Sequence, residues 1–189
     1  MVQVLLIKVT IFFLFFPAFS GLAIRLFEGR DLSYRLLCLG LMLFCMEQCR
    51  MAIVDLTDYF LAKTQCNNYR LSFYFNVLWI TIALELVGFY YCFFALNLGS
   101  IIVLLSQVWF NSFARIKITT KNNQINIIPW GIKKRIGELL GAFLGITLVT
   151  LWTINFYPLL MGFFMLSMMV IFMILKYILP WFKTTFGNG

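Results

Sequence analysis

The sequence predicts an all-α membrane protein: a polytopic bundle of six transmembrane helices, with five as the alternative count, and one short β-hairpin loop. The chain has 189 residues, of which 62% are hydrophobic and 12% are charged, whereas a soluble domain carries about 25% charged residues. Several apolar runs reach the length of about 20 residues that spans a bilayer. A transmembrane β-barrel would instead show short alternating strands. We therefore treat residues 1–189 as a single integral membrane domain.

The net charge and the missing residue types exclude several function classes. The 15 Lys and Arg residues outnumber the 7 Asp and Glu, which gives a net charge of +8. In a membrane protein this excess predicts loops that meet anionic lipid headgroups, and no nucleic-acid partner. The chain has no histidine, the residue that most often ligates haem or acts as a general base. Because the sequence also contains no nucleophile–base pair and no phosphate-binding loop, we predict a non-enzymatic protein without metal or cofactor.

The five cysteines give no sign of a metal or redox site. They are Cys38, Cys45, Cys49, Cys66 and Cys92. No two of them form a CxxC pair, and the first three share one helical face by spacings of seven and four. Four lie in apolar segments, where cysteine behaves as a small hydrophobic residue.

The first apolar run covers residues 2–24 and contains Lys8 and Pro17. Ala18-Phe19-Ser20 before Gly21 resembles a signal-peptide cleavage site, but the basic region that precedes the apolar core of such a peptide is absent. We favour a retained first helix, with a cleaved leader as the alternative.

The second run, 33–62, is apolar in its first half and carries charges in its second half. Glu47 and Arg50 are three positions apart and are therefore neighbours on a helix surface. Asp55 follows, and Asp58 returns to the face of Glu47 about three turns later. The sequence thus predicts a polar stripe on an otherwise apolar helix, which ends at the polar loop 63–70.

The third run extends from Leu71 to Phe110, and Glu85 is its only charged residue. As one helix it would be about 60 Å long, twice the thickness of a bilayer core. We predict two spans, 71–95 and 98–114, that separate at Asn97-Leu98-Gly99-Ser100. A single bent helix is the alternative that reduces the count to five.

Residues 112–136 predict a basic cytoplasmic loop that contains a β-hairpin. Two alternating segments, Arg-Ile-Lys-Ile-Thr and Gln-Ile-Asn-Ile-Ile, flank Lys121-Asn122-Asn123, and alternation around an Asn-rich turn is typical of a hairpin. Because an isolated hairpin is only marginally stable, we expect it to rest on a partner or on the membrane surface. The basic residues predicted to contact headgroups or a partner are Arg115, Lys117, Lys133, Lys134 and Arg135.

The last apolar run, 139–179, is again twice the length of one span. Asn155 and Pro158 mark its middle, so we predict spans 137–156 and 158–179. Pro180, Trp181 and Lys183 follow and suggest a tail at the membrane interface.

The distribution of basic residues predicts the orientation. With six spans, eleven lie on one side (Lys8, Lys63, Arg70, the six of 115–135, Lys176 and Lys183) and three on the other (Arg25, Arg30 and Arg35). Five spans give the same ratio. The positive-inside rule therefore places the hairpin loop and the C-terminus in the cytoplasm or an equivalent compartment, in a cell membrane or an internal membrane such as a thylakoid.

Glu85 is the first candidate for a functional residue. A carboxylate at mid-membrane costs about 2.5–3.5 kcal/mol on insertion scales, so it must face protein or water. Thr81, Gly88 and Cys92 share its helical face, and Arg50 is the natural candidate for an ion-pair partner. The structural interpretation is such a pair in a dry interior. The functional alternative gathers Glu47, Arg50, Asp58 and Glu85 around one polar cavity of a small transporter or channel.

Gly137, Gly141 and Gly145 recur at intervals of four. Two overlapping GxxxG patterns predict a face on which another helix approaches closely, within the chain or in another subunit; we favour the former. From the small size, the missing catalytic motifs and this face, we predict a subunit or assembly factor of a larger membrane complex. Its expected partners are lipids and other membrane protein subunits.

Overall fold

The computed structural model describes residues 2–28, 31–65, 69–121 and 124–178. Within these ranges the helices are α1 (Val2–Phe27), α2 (Leu32–Gln65), α3 (Tyr69–Tyr91), α4 (Leu96–Phe113), α5 (Ile136–Thr153) and α6 (Pro158–Met173). A 3-10 turn (Ile132–Arg135) precedes α5, and a π-helical turn (Ile174–Ile178) extends α6. All six helices are long and apolar enough to span a membrane. The prediction of six helices of membrane-spanning length and composition is confirmed.

Helix α2 occupies the centre of the bundle. It packs against α1, α3 and α6, while α4 lies between α3 and α5, and α5 packs against α6. The contacts follow from helical periodicity: in α1, the buried residues Ile11, Phe15, Ala18 and Leu22 repeat at intervals of four, three and four and form one face.

The α1–α2 link, the α3–α4 turn and the α5–α6 turn meet at one end of the bundle, which we call the turn end. Residues from all three line a cavity of about 490 Å³ there. Arg25 joins two of these connections, since its guanidinium donates to the carbonyl of Phe93 and pairs with Glu28 at 2.7 Å. The opposite end, which carries the β-hairpin, is the hairpin end.

The break between α3 and α4 lies earlier than predicted. The chain turns at 92–95, and Asn97 to Ser100 already belong to α4. Gly99 is required inside α4 because a Cβ there would be 2.4 Å from the Cys92 nitrogen and 2.6 Å from the Gly88 oxygen of α3. A Cβ at Gly88 would likewise be 2.8 Å from the Val103 nitrogen. The two helices pack side by side, so the single bent helix is wrong.

The break between α5 and α6 lies where Asn155 and Pro158 predict it. Asn155 and Tyr157 have positive φ angles of 58° and 43°, and asparagine tolerates this conformation better than most residues. Pro158 opens α6 at a position that needs no backbone N–H donor.

The predicted hairpin is also confirmed. Strands β1 (Ile116–Lys121) and β2 (Gln124–Pro129) pair antiparallel with Ile118 opposite Ile127. Ile116 and Ile118 are buried, and β1 rests on α2, which supplies the support that an isolated hairpin lacks. Asn122 and Asn123 of the predicted turn, Cys66, and the predicted interfacial tail with Pro180, Trp181 and Lys183 lie outside the described residues.

Candidate functional site: buried polar residues around α2

Two groups of polar side chains, each built around a buried glutamate, lie on different sides of α2. The Glu47 cluster comprises Glu47, Arg50, Lys176 and Tyr177, and it joins α2 to the end of α6. The Glu85 cluster comprises Gln48, Asp55, Thr81, Glu85 and Gln107, and it lies between α2, α3 and α4. Because consecutive helical residues point about 100° apart, Glu47 and Gln48 belong to different clusters although they are adjacent in sequence.

The Glu47 carboxylate is surrounded by donors. Arg50 contacts it through Nε at 3.1 Å and Nη2 at 2.9 Å, and Lys176 Nζ lies 2.5 Å from Oε1. The Tyr177 hydroxyl donates to Oε2, and the Arg50 guanidinium lies 5.2 Å from the centre of the Tyr177 ring. The carboxylate is 2% exposed, whereas the Arg50 and Lys176 side chains are 43% and 30% exposed. The predicted Glu47–Arg50 pair is therefore present.

Glu85 has a different partner from the one predicted. Its Oε1 accepts a hydrogen bond of 2.7 Å from Nε2 of Gln107 on α4. Arg50 is turned toward Glu47, so the expectation of a Glu85–Arg50 ion pair is wrong. Glu85 itself is 2% exposed. Gly88 lies one turn after Glu85 in α3. The close approach of α3 and α4 at Gly88 therefore brings Gln107 of α4 within hydrogen-bond distance of Glu85.

A chamber of about 20 Å³ lies beside Glu85. Gln48, Asp55, Thr81, Glu85 and Gln107 are among the residues that line it, and this volume accommodates about one water molecule. Gln48 is 5% exposed. The chamber therefore combines two acids, two amides and one hydroxyl in a space of atomic size.

The polar residues continue from this chamber toward the hairpin end. Tyr74 lies within hydrogen-bond reach of Asp55, and Asp58 lies within electrostatic range of both. Asp58 is half-buried. The four residues predicted to surround one cavity are thus distributed: Glu47 and Arg50 face α6, Glu85 faces α4, and Asp58 is within electrostatic range of Asp55 and Tyr74.

The basic residues of the loop divide into exposed and buried ones. Arg115, Lys117, Lys133 and Lys134 are exposed, and the amines of Lys117 and Lys134 each lie 4.8 Å from the centre of the Trp130 ring. These four residues can reach headgroups or a partner.

The prediction for Arg135 is wrong. Arg135 is 8% exposed, and its guanidinium donates to Asn111 Oδ1 at 3.1 Å and to the Ile116 carbonyl at 3.3 Å. It also lies 5.0 Å from the centre of the Phe110 ring. Arg135 therefore fastens the start of α5 to α4 and β1 and is not available for docking.

The three glycines of α5, Gly137, Gly141 and Gly145, have different surroundings. A Cβ at Gly145 would be 3.0 Å from Leu104, so this glycine packs against α4 as predicted. At Gly137 and Gly141 no described atom lies within 4 Å of such a Cβ. Intrachain packing is therefore wrong for these two positions, which face outward.

Several residues of the site could not be found from the sequence. Gln48, Gln107 and Asn111 are neutral amides and carry no charge signal, and the charged Lys176 lies 129 positions from Glu47. Among the described residues no group of three or more acids or cysteines is arranged to hold a metal ion, and no disulfide joins the described cysteines.

Comparison with family models, curated proteins and solved structures found no match to this chain. The function is therefore argued from the geometry alone.

Proposed function

We propose that the protein is a small non-enzymatic integral membrane protein that acts as a subunit or accessory factor of a larger membrane complex. The outward face of α5 at Gly137 and Gly141 carries the proposal. Glycine is about 1 kcal/mol less favourable than alanine in a helix, and no described residue uses the close approach that these two glycines permit. A helix of another membrane protein is the occupant that fits such a face, since small residues bring backbones together in lipid.

The position of this face indicates the charge that a partner helix would carry. Gly137 follows the exposed Lys133 and Lys134 by one turn. A partner helix that carries acidic residues at the same level would complement these lysines. We place the hairpin end in the cytoplasm by the positive-inside rule, where Arg115 and Lys117 meet anionic headgroups.

The interior supports this proposal over a transporter or channel that uses Glu85 with Glu47 and Arg50. A transport site must become accessible from each side of the membrane in turn. Glu85 is 2% exposed and borders a chamber of about 20 Å³. Glu47 and Arg50 are paired with each other on another side of α2.

The substitution Gly141→Leu tests the proposal, with Gly145→Leu as the matched control on the same helix. Each protein is extracted from its native membrane in mild detergent, and its complex size and its Tm are measured. We expect Gly141→Leu to leave the Tm of the isolated chain unchanged and to release the protein from its complex. Gly145→Leu lowers the Tm, since added bulk in a packed contact costs about 1–3 kcal/mol. A wild-type protein that runs alone as a monomer, or a Gly141→Leu protein that assembles normally, would contradict the proposal.

A further inference from the structure

A polar space and an apolar space adjoin each other at the turn end. The polar one is the cavity of about 490 Å³ described above, which we call the turn-end cavity, and Arg25, Asp31, Asn97 and Asn155 are among the residues that line it. The apolar one is a groove of about 770 Å³ along the first turns of α2 and α6. Pro158 lines both. A molecule with a polar and an apolar part can therefore occupy the two spaces together.

The apolar groove is lined by aliphatic and aromatic side chains, among them Leu36, Leu159 and Phe163. The two helices that form it touch at Gly162, where a Cβ would be 2.7 Å from the Ser33 carbonyl oxygen. Both helices are long and apolar enough to span a membrane, so the groove lies beside the hydrocarbon of the bilayer. An acyl chain is the occupant that matches this depth and this lining.

The turn-end cavity lies where three helices begin. Residues near the starts of α2, α4 and α6 line it, namely Ser33, Asn97 and Pro158. No side chain caps α4 or α6, so the N–H groups of their first turns keep a partial positive charge. Arg25 adds a cation, since its guanidinium has five N–H groups and its bonds to Phe93 and Glu28 use two of them. These donors suit a phosphate group.

The same cavity also contains an acid. Asp31 is exposed and lines the cavity, and its carboxylate can accept hydrogen bonds from an ammonium group. The amide oxygens of Asn97 and Asn155 are further acceptors in the wall. The volume of the cavity falls within the range of about 300–1,000 Å³ that is typical of small-molecule sites. A wall with both signs of charge matches a headgroup that contains a phosphate and a primary amine.

We propose that the turn end binds one phospholipid with an ethanolamine headgroup. The phosphate contacts Arg25 and the helix starts, the amine contacts Asp31, and one acyl chain lies in the apolar groove between α2 and α6. The cavity lies at the ends of the spans, at the level of the headgroups, and the groove lies deeper along the same helices. Gly137 and Gly141 lie at the opposite end of α5, so this site is independent of the outward face of that helix.

Thermal unfolding of the delipidated full chain in mild detergent tests the site, with added phosphatidylethanolamine, phosphatidylcholine or phosphatidylglycerol of the same acyl chains. We expect phosphatidylethanolamine to raise the Tm by roughly 5–10 °C when it exceeds its Kd a hundredfold. Native mass spectrometry should find one such lipid per chain. Choline has no N–H to donate and glycerol has no amine, so both other lipids should bind about tenfold more weakly.

Two variants with matched controls separate headgroup recognition from groove binding. Asp31 is the N-cap of α2, since its carbonyl accepts the Arg35 N–H at 3.1 Å, and asparagine caps as well as aspartate. Asp31→Asn should therefore keep the lipid-free Tm and lose the preference for ethanolamine over choline. Glu138→Gln, which changes an exposed acid at the start of α5, should keep that preference.

The groove is tested by filling it. Leu159→Trp places a larger side chain in the groove and should weaken binding of all three lipids about tenfold. Leu175→Trp is its control, because Leu159 and Leu175 are 52% and 56% exposed and only the former lines the groove. Equal Tm shifts with the three lipids, a shift from phosphatidylglycerol as large as that from phosphatidylethanolamine, or full lipid binding by Leu159→Trp would each overturn the proposal.

Discussion

The two buried acids of this bundle are compensated in different ways. Glu47 has two cations and a hydroxyl around one carboxylate, and both cations extend toward the surface of the bundle. Glu85 has one amide donor and shares its chamber with a second acid. The Glu47 carboxylate is thus neutralised by two cations, whereas Glu85 is held by one neutral hydrogen-bond donor.

This contrast suggests separate roles for the two clusters. The Glu47 cluster joins α2 to the end of α6 and closes one side of the bundle. A buried carboxylate is costly unless it is paired and its oxygens accept hydrogen bonds. Both oxygens of Glu47 do so. The Glu85 cluster lies where three helices meet, and a neutral hydrogen bond from Gln107 on α4 holds the Glu85 carboxyl. The Glu47 cluster therefore depends on ion pairs, whereas the Glu85 cluster depends on one hydrogen bond and on the packing of α3 against α4.

The largest expected effect comes from removing both cations of the Glu47 cluster. The double substitution Arg50→Met with Lys176→Met leaves the Glu47 carboxylate buried with Tyr177 as its remaining donor. We expect the free energy of unfolding to fall by about 2–3 kcal/mol. This is at or below the lower end of the cost of breaking a buried ion pair, because both cations are partly exposed and screened by solvent. Chemical unfolding in detergent measures the loss. Adding Glu47→Met should restore most of the stability; an equally unstable triple variant would show that packing, not charge, holds this site.

The parts of the structure that the sequence predicted are those that depend on long-range composition. Apolar runs located six helices, and alternation located the hairpin. The α3–α4 break was misplaced because Asn97 and Gly99 resemble turn residues, although Gly99 serves the close contact with α3. The partner of Glu85 was missed because Gln107 carries no charge, and the Lys133–Arg135 triplet does not reveal from its sequence that only Arg135 turns inward.

The geometry of the Glu85 cluster depends on Gly88, and a methyl group there should disturb it. In Gly88→Ala the new Cβ would lie 2.8 Å from the Val103 nitrogen. This contact forces α3 and α4 apart and lengthens the hydrogen bond between Glu85 and Gln107. We expect a loss of about 1–2 kcal/mol, since the helix propensity of alanine offsets part of the cost of overpacking. Gly137→Ala is the control, because no described atom lies near its Cβ, and its stability should equal or slightly exceed that of the wild type. Equal stabilities of the two variants would argue against a close α3–α4 contact.

The smallest and most specific effect compares one substitution at both acids, Glu47→Gln and Glu85→Gln, in the same buffer. At Glu47 the charge is lost from between Arg50 and Lys176, so we expect a loss of about 1 kcal/mol, since hydrogen bonds to charged groups are stronger than neutral ones.

At Glu85 the amide oxygen still accepts from Gln107, and no cation loses its partner. We therefore expect a change in unfolding free energy between about 0 and 1 kcal/mol in the stabilising direction. The sign of the difference is the decisive quantity, because both substitutions are of equal size and at equally buried carboxylates. If Glu85→Gln were the more destabilising of the two, a cation would have to neutralise Glu85, and the difference in compensation between the two acids would no longer hold.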